Sequence, residues 1–485
     1  MKSLIIQAPS SGIAQSPHTG FGMVKNLDIY TTPGVAKLNN LLAKKTASTV
    51  DALVKWIVRD PDTPANIFAL DSNGVLYKSA DTGATWAEVS NRLGAGQGLI
   101  VKWGYVFVAC ITNIDVMKIS DSSWTLAWQT IDTDSLWHPM ISSDNDNLIY
   151  GGAGKYVFSI EQNSGETFVP GTAASYTFTK QALDLPDNYR IKCLEELGNN
   201  LMIGTWVGTT ITDFKKANIF PWDRSNPTFG QPIKITENGV NAMINIRNQL
   251  YIMAGLEGNL YRSDGYNAVQ IAEIPQYIAD LDGGKYLEPY PGAMINFKGR
   301  LFFGISGSTI LSGCGVYSLK QTGSGNILVM EHTISSGNQG TLKQLQIGAL
   351  LGLTRDEMLI SWRDDTTFGI DKTTNTSRAT AYAGSFESPL YSISSVTNTK
   401  KFNTLEVSLA KPLLTNEGIK VEYRHDLSES WTTIVTFSYT NYGGERTKNF
   451  ITTEPKNIKA SEIIQFRVSL TGTTTSPQYK HIELK

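Results

Sequence analysis

Short apolar runs preceded by polar turns recur along the first three quarters of the chain. The runs are rich in aromatic and β-branched side chains, and the turns before them are mostly Asn, Asp or Gly. The seven runs are Ile67-Phe68-Ala69-Leu70, Val106-Phe107-Val108, Leu148-Ile149-Tyr150, Leu201-Met202-Ile203, Leu250-Tyr251-Ile252, Leu301-Phe302-Phe303 and Met358-Leu359-Ile360. Runs of this length and composition predict β-strands and not helices.

A second run follows most of the first runs after a short interval and places an aromatic beside a small polar residue. The copies are Leu76-Tyr77-Lys78-Ser79, Val157-Phe158-Ser159, Leu260-Tyr261-Arg262-Ser263 and Val316-Tyr317-Ser318, with poorer ones at Met117-Lys118-Ile119-Ser120 and Phe368-Gly369-Ile370-Asp371 and a loose one near Phe214. Successive units begin 39 to 57 residues apart, which leaves room for about four strands in each. This period predicts a β-propeller of about seven blades, with six or eight left open.

One turn carries a more specific signal. Residues 79–86 have the pattern S-x-D-x-G-x-T-W, with Ser79, Asp81, Gly83, Thr85 and Trp86 at the defined positions. The pattern resembles the Asp-box of sialidase-type propellers at every one of them. We expect Asp81 to accept hydrogen bonds from the turn backbone, Gly83 to have a positive φ and Trp86 to pack between blades. The resemblance implies a structural role, not a catalytic one.

Other polar turns are less informative. Ser263-Asp264-Gly265 and Ser120-Asp121-Ser122-Ser123-Trp124 resemble degraded Asp-boxes. Asp71-Ser72-Asn73-Gly74 and Asp144-Asn145-Asp146-Asn147 resemble the start of a calcium loop but lack its glutamate at position 12, so we predict simple turns. The five histidines have no ligand spacing. We therefore expect no metal and no cofactor.

From about residue 381 the pattern changes to strict two-residue alternation. Leu405, Val407 and Leu409 alternate with polar residues, and the same holds for Ile419–Arg424 and Ile464–Leu470. Together with residues 431–439, 446–452 and 479–484 this gives six or seven strands, each with one core face and one wet face. The prediction is a jelly-roll or immunoglobulin-like β-sandwich over residues 381–485, after a propeller over residues 49–380.

Residues 1–48 fit neither pattern. Residues 7–22 are rich in Ser, Gly and Pro, and the segment that follows, residues 24–35, has the character of a strand and a turn. We predict an N-terminal arm with a closing strand. Its partner is left open between the propeller itself, a neighbouring subunit, and no partner for a loose tail.

Composition narrows the class of protein. The chain has 485 residues, of which 41% are hydrophobic and 18% charged, and its net charge is −2. It can therefore build a large core, and it lacks the basic surplus of a tight nucleic-acid or anionic-membrane binder. Cys110, Cys193 and Cys314 are far apart and odd in number, so we expect small buried hydrophobes and no disulfide framework. No apolar stretch has the length of a signal peptide core or a transmembrane helix, so we expect a soluble protein made in a cytosol.

No catalytic motif emerges. There is no G-x-S-x-G elbow, P-loop or dinucleotide fingerprint. Sialidases also carry an R-I-P signature in the first blade, where this chain has residues 56–61, W-I-V-R-D-P. Arg190-Ile191-Lys192 lies in the fourth unit and lacks the proline. We expect no enzyme activity and name no catalytic residue.

The assembled layout resembles propeller-containing tail proteins of tailed bacteriophages. Three features carry the resemblance: the arm that leads through residues 26–35 into the first blade, the blades with sporadic Asp-boxes, and the C-terminal segments 386–391, 401–407 and 419–424. In short-tailed phages similar propellers form the nozzle at the tail end, where several copies surround a channel for DNA. The resemblance covers most of the chain, and it implies no catalytic residue.

The resemblance implies a structural virion protein, made in the host cytoplasm and placed in the tail. The expected partners are copies of the same chain in a ring, adaptor or fibre proteins, DNA in passage without sequence-specific contact, and host surface glycans as an open option, with no membrane insertion. A low, balanced charge is compatible with a passive DNA conduit. The alternative is a glycan-binding or glycan-hydrolysing Asp-box propeller whose sandwich is a carbohydrate-binding module.

Overall fold

The computed structural model describes residues 4–10, 12–14, 20–46, 49–90, 97–133, 137–143, 146–207, 217–274, 289–307, 313–322, 325–334, 345–378, 384–392, 404–442, 449–452 and 463–484. Nearly every regular element in these ranges is a β-strand. The first five strands belong to the N-terminal arm. They are β1 Leu4–Gln7, β2 Met23–Lys25, β3 Leu27–Asp28, β4 Lys37–Leu38 and β5 Asn40–Lys44.

The chain then forms successive antiparallel units of four strands, in chain order. The first three units contain β6 Val54–Arg59, β7 Ile67–Asp71, β8 Leu76–Ser79, β9 Ala87–Ser90, β10 Gly98–Lys102, β11 Tyr105–Ala109, β12 Asn113–Lys118, β13 Trp124–Thr130, β14 Met140–Ser142, β15 Leu148–Ala153, β16 Tyr156–Gln162 and β17 Tyr176–Asp184. The next three contain β18 Tyr189–Leu197, β19 Asn200–Val207, β20 Ala217–Trp222, β21 Ile233–Ile235, β22 Val240–Ile246, β23 Gln249–Ala254, β24 Asn259–Ser263, β25 Ala268–Glu273, β26 Met294–Phe297, β27 Arg300–Ile305, β28 Gly315–Thr322 and β29 Gly325–His332. Two short 3-10 helices, Ala173–Ser175 and Pro291–Ala293, precede β17 and β26.

A seventh unit is assembled from two distant segments of the chain. It contains β30 Leu345–Gly352, β31 Met358–Asp364 and β32 Thr367–Arg378, and its fourth strand is β5 of the N-terminal arm. The arm strand runs antiparallel to β32, with Leu42 opposite Thr373. This strand follows residues 24–35, the segment whose sequence has the character of a strand and a turn, and does not coincide with it.

The first strands of the units pack side by side in a closed series. Each contacts the first strand of the next unit, from β6 through β10, β14, β18, β22 and β26 to β30, and β30 returns to β6. The fold is therefore all-β and propeller-like, as predicted. All seven apolar runs named from the sequence lie within second strands of these units. Phe214 lies outside the described residues.

The C-terminal strands form two groups. They are β33 Gly384–Glu387, β34 Tyr391–Ser392, β35 Leu405–Leu409, β36 Gly418–Arg424, β37 Thr432–Ser438, β38 Asn449–Thr452, β39 Ile463–Thr471 and β40 Tyr479–Leu484, with one helical turn, α1, at Tyr439–Tyr442. One sheet has the order β1-β40-β35-β38, and the other continues β33-β39-β36-β37, with β34 also paired to β39. The alternating segments predicted from the sequence match these strands.

The prediction of one wet face is wrong for β39, the central strand of its sheet. Gln465 and Ser469 point away from the apolar side yet are buried. The Gln465 amide donates to the Ser388 carbonyl at 2.9 Å and accepts from the Arg424 guanidinium at 2.8 Å. The segment after β33 covers this side of the sheet, which periodicity alone cannot indicate because the covering residues are polar.

The N-terminal arm joins the propeller-like body to the C-terminal sheets. Strand β2 lies between β29 of the sixth unit and β33, parallel to the first and antiparallel to the second. Strand β1 pairs with β40 from Leu4 to Gln7, and the Tyr479 hydroxyl donates to the Ile6 carbonyl at 2.5 Å. The sixth unit, the arm and the C-terminal strands share one apolar core. The boundaries at residues 48 and 380 stay predictions.

The cysteines belong to the core. The three cysteines are buried and free, which confirms their predicted role as small hydrophobes. Burial raises the pKa of Cys110 and of Cys193 to about 12.

Among the described residues no helix has the length and apolarity needed to cross a membrane.

Candidate functional site

The Asp-box residues form one compact hydrogen-bonded turn between β8 and β9. The Asp81 carboxylate accepts from the Thr85 N–H at 2.8 Å, the Ala84 N–H at 3.0 Å and the Thr85 hydroxyl at 2.6 Å. The Ser79 hydroxyl donates to Asp81 at 2.8 Å and accepts from the Gly83 N–H at 2.8 Å. Gly83 has φ +77°, in the region that favours glycine. The local chemistry agrees with what the motif predicts.

This turn lies directly against the seventh unit. A Cβ placed on Gly83 would be 2.8 Å from Cδ2 of Leu359, and the Lys372 ammonium donates to the Thr82 carbonyl at 3.0 Å. Trp86 is buried in a cluster that contains residues of the first and seventh units, including Leu359. The Asp-box therefore holds two neighbouring units together.

The electrostatics of the turn also fit a structural role. The small burial of Asp81 acts to raise its pKa, but the hydrogen bonds from Thr85, Ser79 and Ala84 lower the pKa to about 2. The carboxylate is thus held ionised and fully occupied as an acceptor. An acid catalyst needs the opposite shift, toward the working pH.

The two degraded Asp-boxes keep parts of this pattern. In the fifth unit the Ser263 hydroxyl accepts from the Gly265 N–H at 3.0 Å, and Asp264 accepts from the Tyr266 and Asn267 N–H groups. In the second unit Asp121 accepts from the backbone and the hydroxyl of Ser123. The hydrogen bonds of both turns are local, and a Cβ on Gly265 would lie 3.2 Å from Leu197 of the fourth unit.

The axis of the propeller-like body contains a cluster that the sequence did not indicate. The indole of Trp137, just before β14, lies against the ring of Tyr290, just before β26, with centroids 6.0 Å apart. The ammonium groups of Lys55 on β6 and Lys192 on β18 each lie 5.1 Å from the Trp137 ring centroid. These residues come from the first, third, fourth and sixth units, and side chains of such distant units can meet only at the axis. We call them the axial cluster.

The axial cluster is closed to solvent at Lys192. Lys192 is 1% exposed and donates to the Asn241 amide oxygen at 2.7 Å. Burial lowers its pKa well below the usual 10.5, and the nearby charge of Lys55 acts in the same direction. The cation–π contact with Trp137 and the hydrogen bond to the Asn241 amide oxygen offset part of the cost of burying the Lys192 side chain. No periodic pattern could reveal this cluster, because its successive members lie 55 to 98 residues apart.

Other candidates from the sequence do not converge on a site. Asp71 accepts from the Asn73 and Val75 N–H groups and the Tyr77 hydroxyl, which makes it the simple turn that was predicted. Asp144 and Asn145 lie outside the described residues. Arg190, near the start of β18, donates to the Asp187 and Tyr189 carbonyls. Among the described residues no three His, Cys, Asp or Glu side chains are grouped closely enough to hold a metal ion.

The C-terminal sheets were a place to look for exposed aromatics that would bind a sugar. Trp431 is only partly exposed, because the guanidinium groups of Arg424 and Arg467 lie over its ring at 4.3 and 4.5 Å. The large hydrophobics that are exposed in the described part of this region are Leu414, Leu427 and Ile463, all aliphatic. This arrangement gives no support to a stacking platform for carbohydrate there.

No family model and no curated protein matches the chain. Solved structures that resemble it include the extracellular domain of the one-component system BT4673 from B. thetaiotaomicron, at 14% identity and a TM-score of 0.47, over 77% of this chain and 43% of that one. The structure titled YCF48 bound to D1 peptide is similar at 10% identity and a TM-score of 0.44, over 72% and 97% of the two chains. YCF48 from Cyanidioschyzon merolae follows at 8% identity and a TM-score of 0.42, over 68% and 98%. The chain thus spans less than half of the BT4673 domain. With every TM-score below 0.5, these similarities say nothing about activity or partners.

Proposed function

We propose that this protein is a structural subunit of a bacteriophage tail, nozzle-like, in which copies of the chain form a ring around a channel. In this proposal the body is a seven-bladed propeller and the C-terminal strands form a β-sandwich. The propeller supplies a solid wall, and the arm and sandwich supply the contacts to neighbours. The assignment to a phage tail comes from the resemblance of the sequence to phage tail propellers.

The observation that carries the proposal is the filled axis. Trp137, Tyr290, Lys55 and Lys192 meet there, so the propeller offers no open passage of its own at their level. A channel for DNA would then have to lie between copies, with each propeller as one block of the wall. A filled axis also takes away the central well in which a propeller could place a substrate.

The strand pairing of the N-terminal arm with both parts of the fold supports a structural role. Strand β5 completes the seventh unit, and β2 lies between the sixth unit and β33. Strand β1 is the edge strand of one C-terminal sheet, where it pairs with β40. The Glu331 carboxylate holds the arm from inside, because it accepts from Asn39 at 2.6 Å and from Arg300 at 2.5 Å. Arg300 in turn lies over the Tyr30 ring at 4.0 Å. Such an arm resists being pulled from the body.

The test is the oligomeric state of the purified full chain. Light scattering over a range of concentrations and electron microscopy should give a closed ring with a central opening between subunits, and antibodies against the chain should label one end of a tail. A monomer at the highest soluble concentration, with no labelling of virions, would overturn the proposal.

A further inference from the structure

A cleft between the propeller-like body, the arm and the C-terminal sheets has a charge opposite to that of the chain. Its volume is about 1300 Å³. Eight of the chain's 42 Lys and Arg residues line it, against four of its 44 Asp and Glu residues. The cleft is thus formally +4 in a chain of net charge −2, and the rest of the chain is −6. A local field of this kind concentrates anions in the cleft.

Three equivalent hairpins place cations along one wall. Arg247, Lys298 and Arg355 each lie in the turn between the first and second strands of the fifth, sixth and seventh units. The Arg247 guanidinium reaches the next hairpin, since a Cβ on Gly299 would lie 3.6 Å from its Nη2. The corresponding turn of the first unit contains Asp60 and Asp62 instead. The repeat of the fold therefore places a row of positive charge on three successive units.

The opposite wall comes from the C-terminal loops, and the floor comes from the arm together with β27 and β29 of the sixth unit. Lys411 follows β35 on this wall, and residues 474–476, T-T-S, lie between β39 and β40. On the floor, Arg300 is already paired with Glu331 and covers the Tyr30 ring. Arg300 on the floor is thus already paired, and the cations at the rim of the cleft are the ones that can bind a ligand.

Three rim cations have no assigned partner within the described part of the chain. These are Arg247, Arg355 and Lys411, all exposed. Lys298 has a long contact to Asp356, at 3.6 Å, and its ammonium lies 5.3 Å from the Phe297 ring centroid. Guanidinium groups bind carboxylate and sulfate in a bidentate way. The rest of the lining is rich in neutral donors and acceptors, namely Thr31, Asn40, Gln249, Gln321, Thr474, Thr475, Ser476 and Gln478.

We propose that this cleft binds an acidic oligosaccharide, with carboxylate or sulfate groups on Arg247, Arg355 and Lys411 and hydroxyl groups on the neutral lining. A compact polyanion fits better than a nucleic acid, because a long strand would leave the cleft and run along the rest of a chain whose formal charge is −6. Bases would also find no free stacking platform, since Arg300 covers Tyr30 and the rings of Phe297 and Phe302 are buried. The site goes beyond the wall-forming role and stands whether or not copies form a ring.

The test measures binding of labelled probes to the full chain by fluorescence anisotropy at low salt. The probes are a heparin-derived hexasaccharide, trigalacturonate, neutral maltohexaose, a 12-nucleotide single strand of DNA and a hexaglutamate peptide. We expect the two acidic saccharides to bind, with affinity falling as salt rises, and the other three to bind at least about tenfold more weakly. Stronger binding of DNA or of hexaglutamate than of both acidic saccharides would overturn the proposal.

Variants of the cleft residues test whether the saccharide binds at this site. Arg247→Gln with Arg355→Gln should weaken saccharide binding at least about tenfold, and Lys411→Gln on the other wall should weaken it about threefold. The matched control, Lys180→Gln with Lys234→Gln, removes two exposed cations from outer strands of the third and fourth units and should stay within about twofold. Equal loss in the control and the cleft variants would mean nonspecific attraction and overturn the site. Circular dichroism checks that each variant is folded.

Discussion

The Asp-box turn of the first unit and its relative in the fifth unit solve the same packing problem with different strength. Both place a positive-φ glycine against a leucine of the preceding unit. A Cβ on Gly83 would lie 2.8 Å from Leu359, and one on Gly265 would lie 3.2 Å from Leu197. In both turns a serine hydroxyl accepts from the glycine N–H. The glycine contact is therefore the shared part.

The two turns differ in what surrounds that contact. Asp81 accepts four hydrogen bonds at 2.6 to 3.0 Å, whereas Asp264 accepts two, at 3.0 and 3.3 Å. The first unit then buries Trp86 between units, whereas Tyr266 of the fifth unit is 83% exposed. Both turns make the glycine contact. The Asp-box of the first unit adds the hydrogen bonds to Asp81 and the burial of Trp86 between two units.

The position of the full motif explains the difference. It lies at the junction of the first and seventh units, and the seventh unit is assembled from two distant segments of the chain that pair through the β5–β32 ladder. This junction also contains the Ser361 hydroxyl bond to the Val54 carbonyl at 2.7 Å and the Arg59 bond to the Leu353 carbonyl at 2.8 Å. The fourth and fifth units, in contrast, follow each other directly along the chain. Reinforcement is concentrated where chain continuity is weakest.

The largest expected difference between the two turns is in their aromatic residues. Trp86→Ala should lower the free energy of unfolding by about 3–5 kcal/mol, because it leaves a large cavity between two units. Tyr266→Ala should change it by less than about 0.5 kcal/mol, because the side chain is exposed. Urea titrations followed by far-ultraviolet circular dichroism measure both. Similar losses for the two variants would show that the wedge does not distinguish the turns.

The glycines should differ less. Gly83→Ala should cost about 2–3 kcal/mol, from backbone strain and the clash with Leu359, and Gly265→Ala about 1–2 kcal/mol. Gly198→Ala is the control for strain alone, since its φ is +58° and nothing lies within 4 Å of the added carbon. It should cost about 1 kcal/mol. If Gly83→Ala matched this control in the same urea titrations, the contact with Leu359 would contribute nothing.

The aspartates should differ by less again. Asp81→Ala should cost about 1–2 kcal/mol, and Asp264→Ala should cost clearly less, because Asp264 loses fewer and longer hydrogen bonds at an exposed site. Hydrogen exchange at the Ala84 and Thr85 amides should speed up in the first variant, because both lose their acceptor. Unchanged exchange at these amides would contradict the capping role.

The sequence anticipated the parts of this comparison that are local. The Asp-box residues fall at fixed offsets within eight positions, and the capping chemistry acts at that range, so the turn geometry followed from the motif. The neighbour of Trp86 did not, because Leu359 is more than 270 residues away. The alternating strands followed from their period of two, while the covered outer side of β39 did not, since polar residues such as Ser388 cover it.

The candidate site shows the same limit. The axial cluster joins Lys55, Trp137, Lys192 and Tyr290, and no spacing relates them. The basic cleft needs three turns of successive units to lie in a row, which only the closed series of units supplies. In the sequence Lys298 is one basic residue in a turn, and it becomes part of a basic row only beside Arg247 and Arg355.

The smallest expected difference between the two turns is in their response to acid. In the folded chain Asp81 has a pKa of about 2, below its usual value near 3.8, so the unfolded state binds more protons between these values. Its contribution to stability is complete above about pH 5 and is lost as pH falls toward 2. The melting temperatures of the wild type and Asp81→Asn should therefore differ most above pH 5 and converge toward pH 2. The pKa of Asp264 is also lowered, by the Tyr266 and Asn267 N–H groups, but its bonds are fewer, so the gap between the wild type and Asp264→Asn should be smaller at every pH. A gap for Asp81→Asn that stays constant from pH 6 to pH 2 would mean that the charge of Asp81 does not matter and that the turn is held by the glycine and the tryptophan alone.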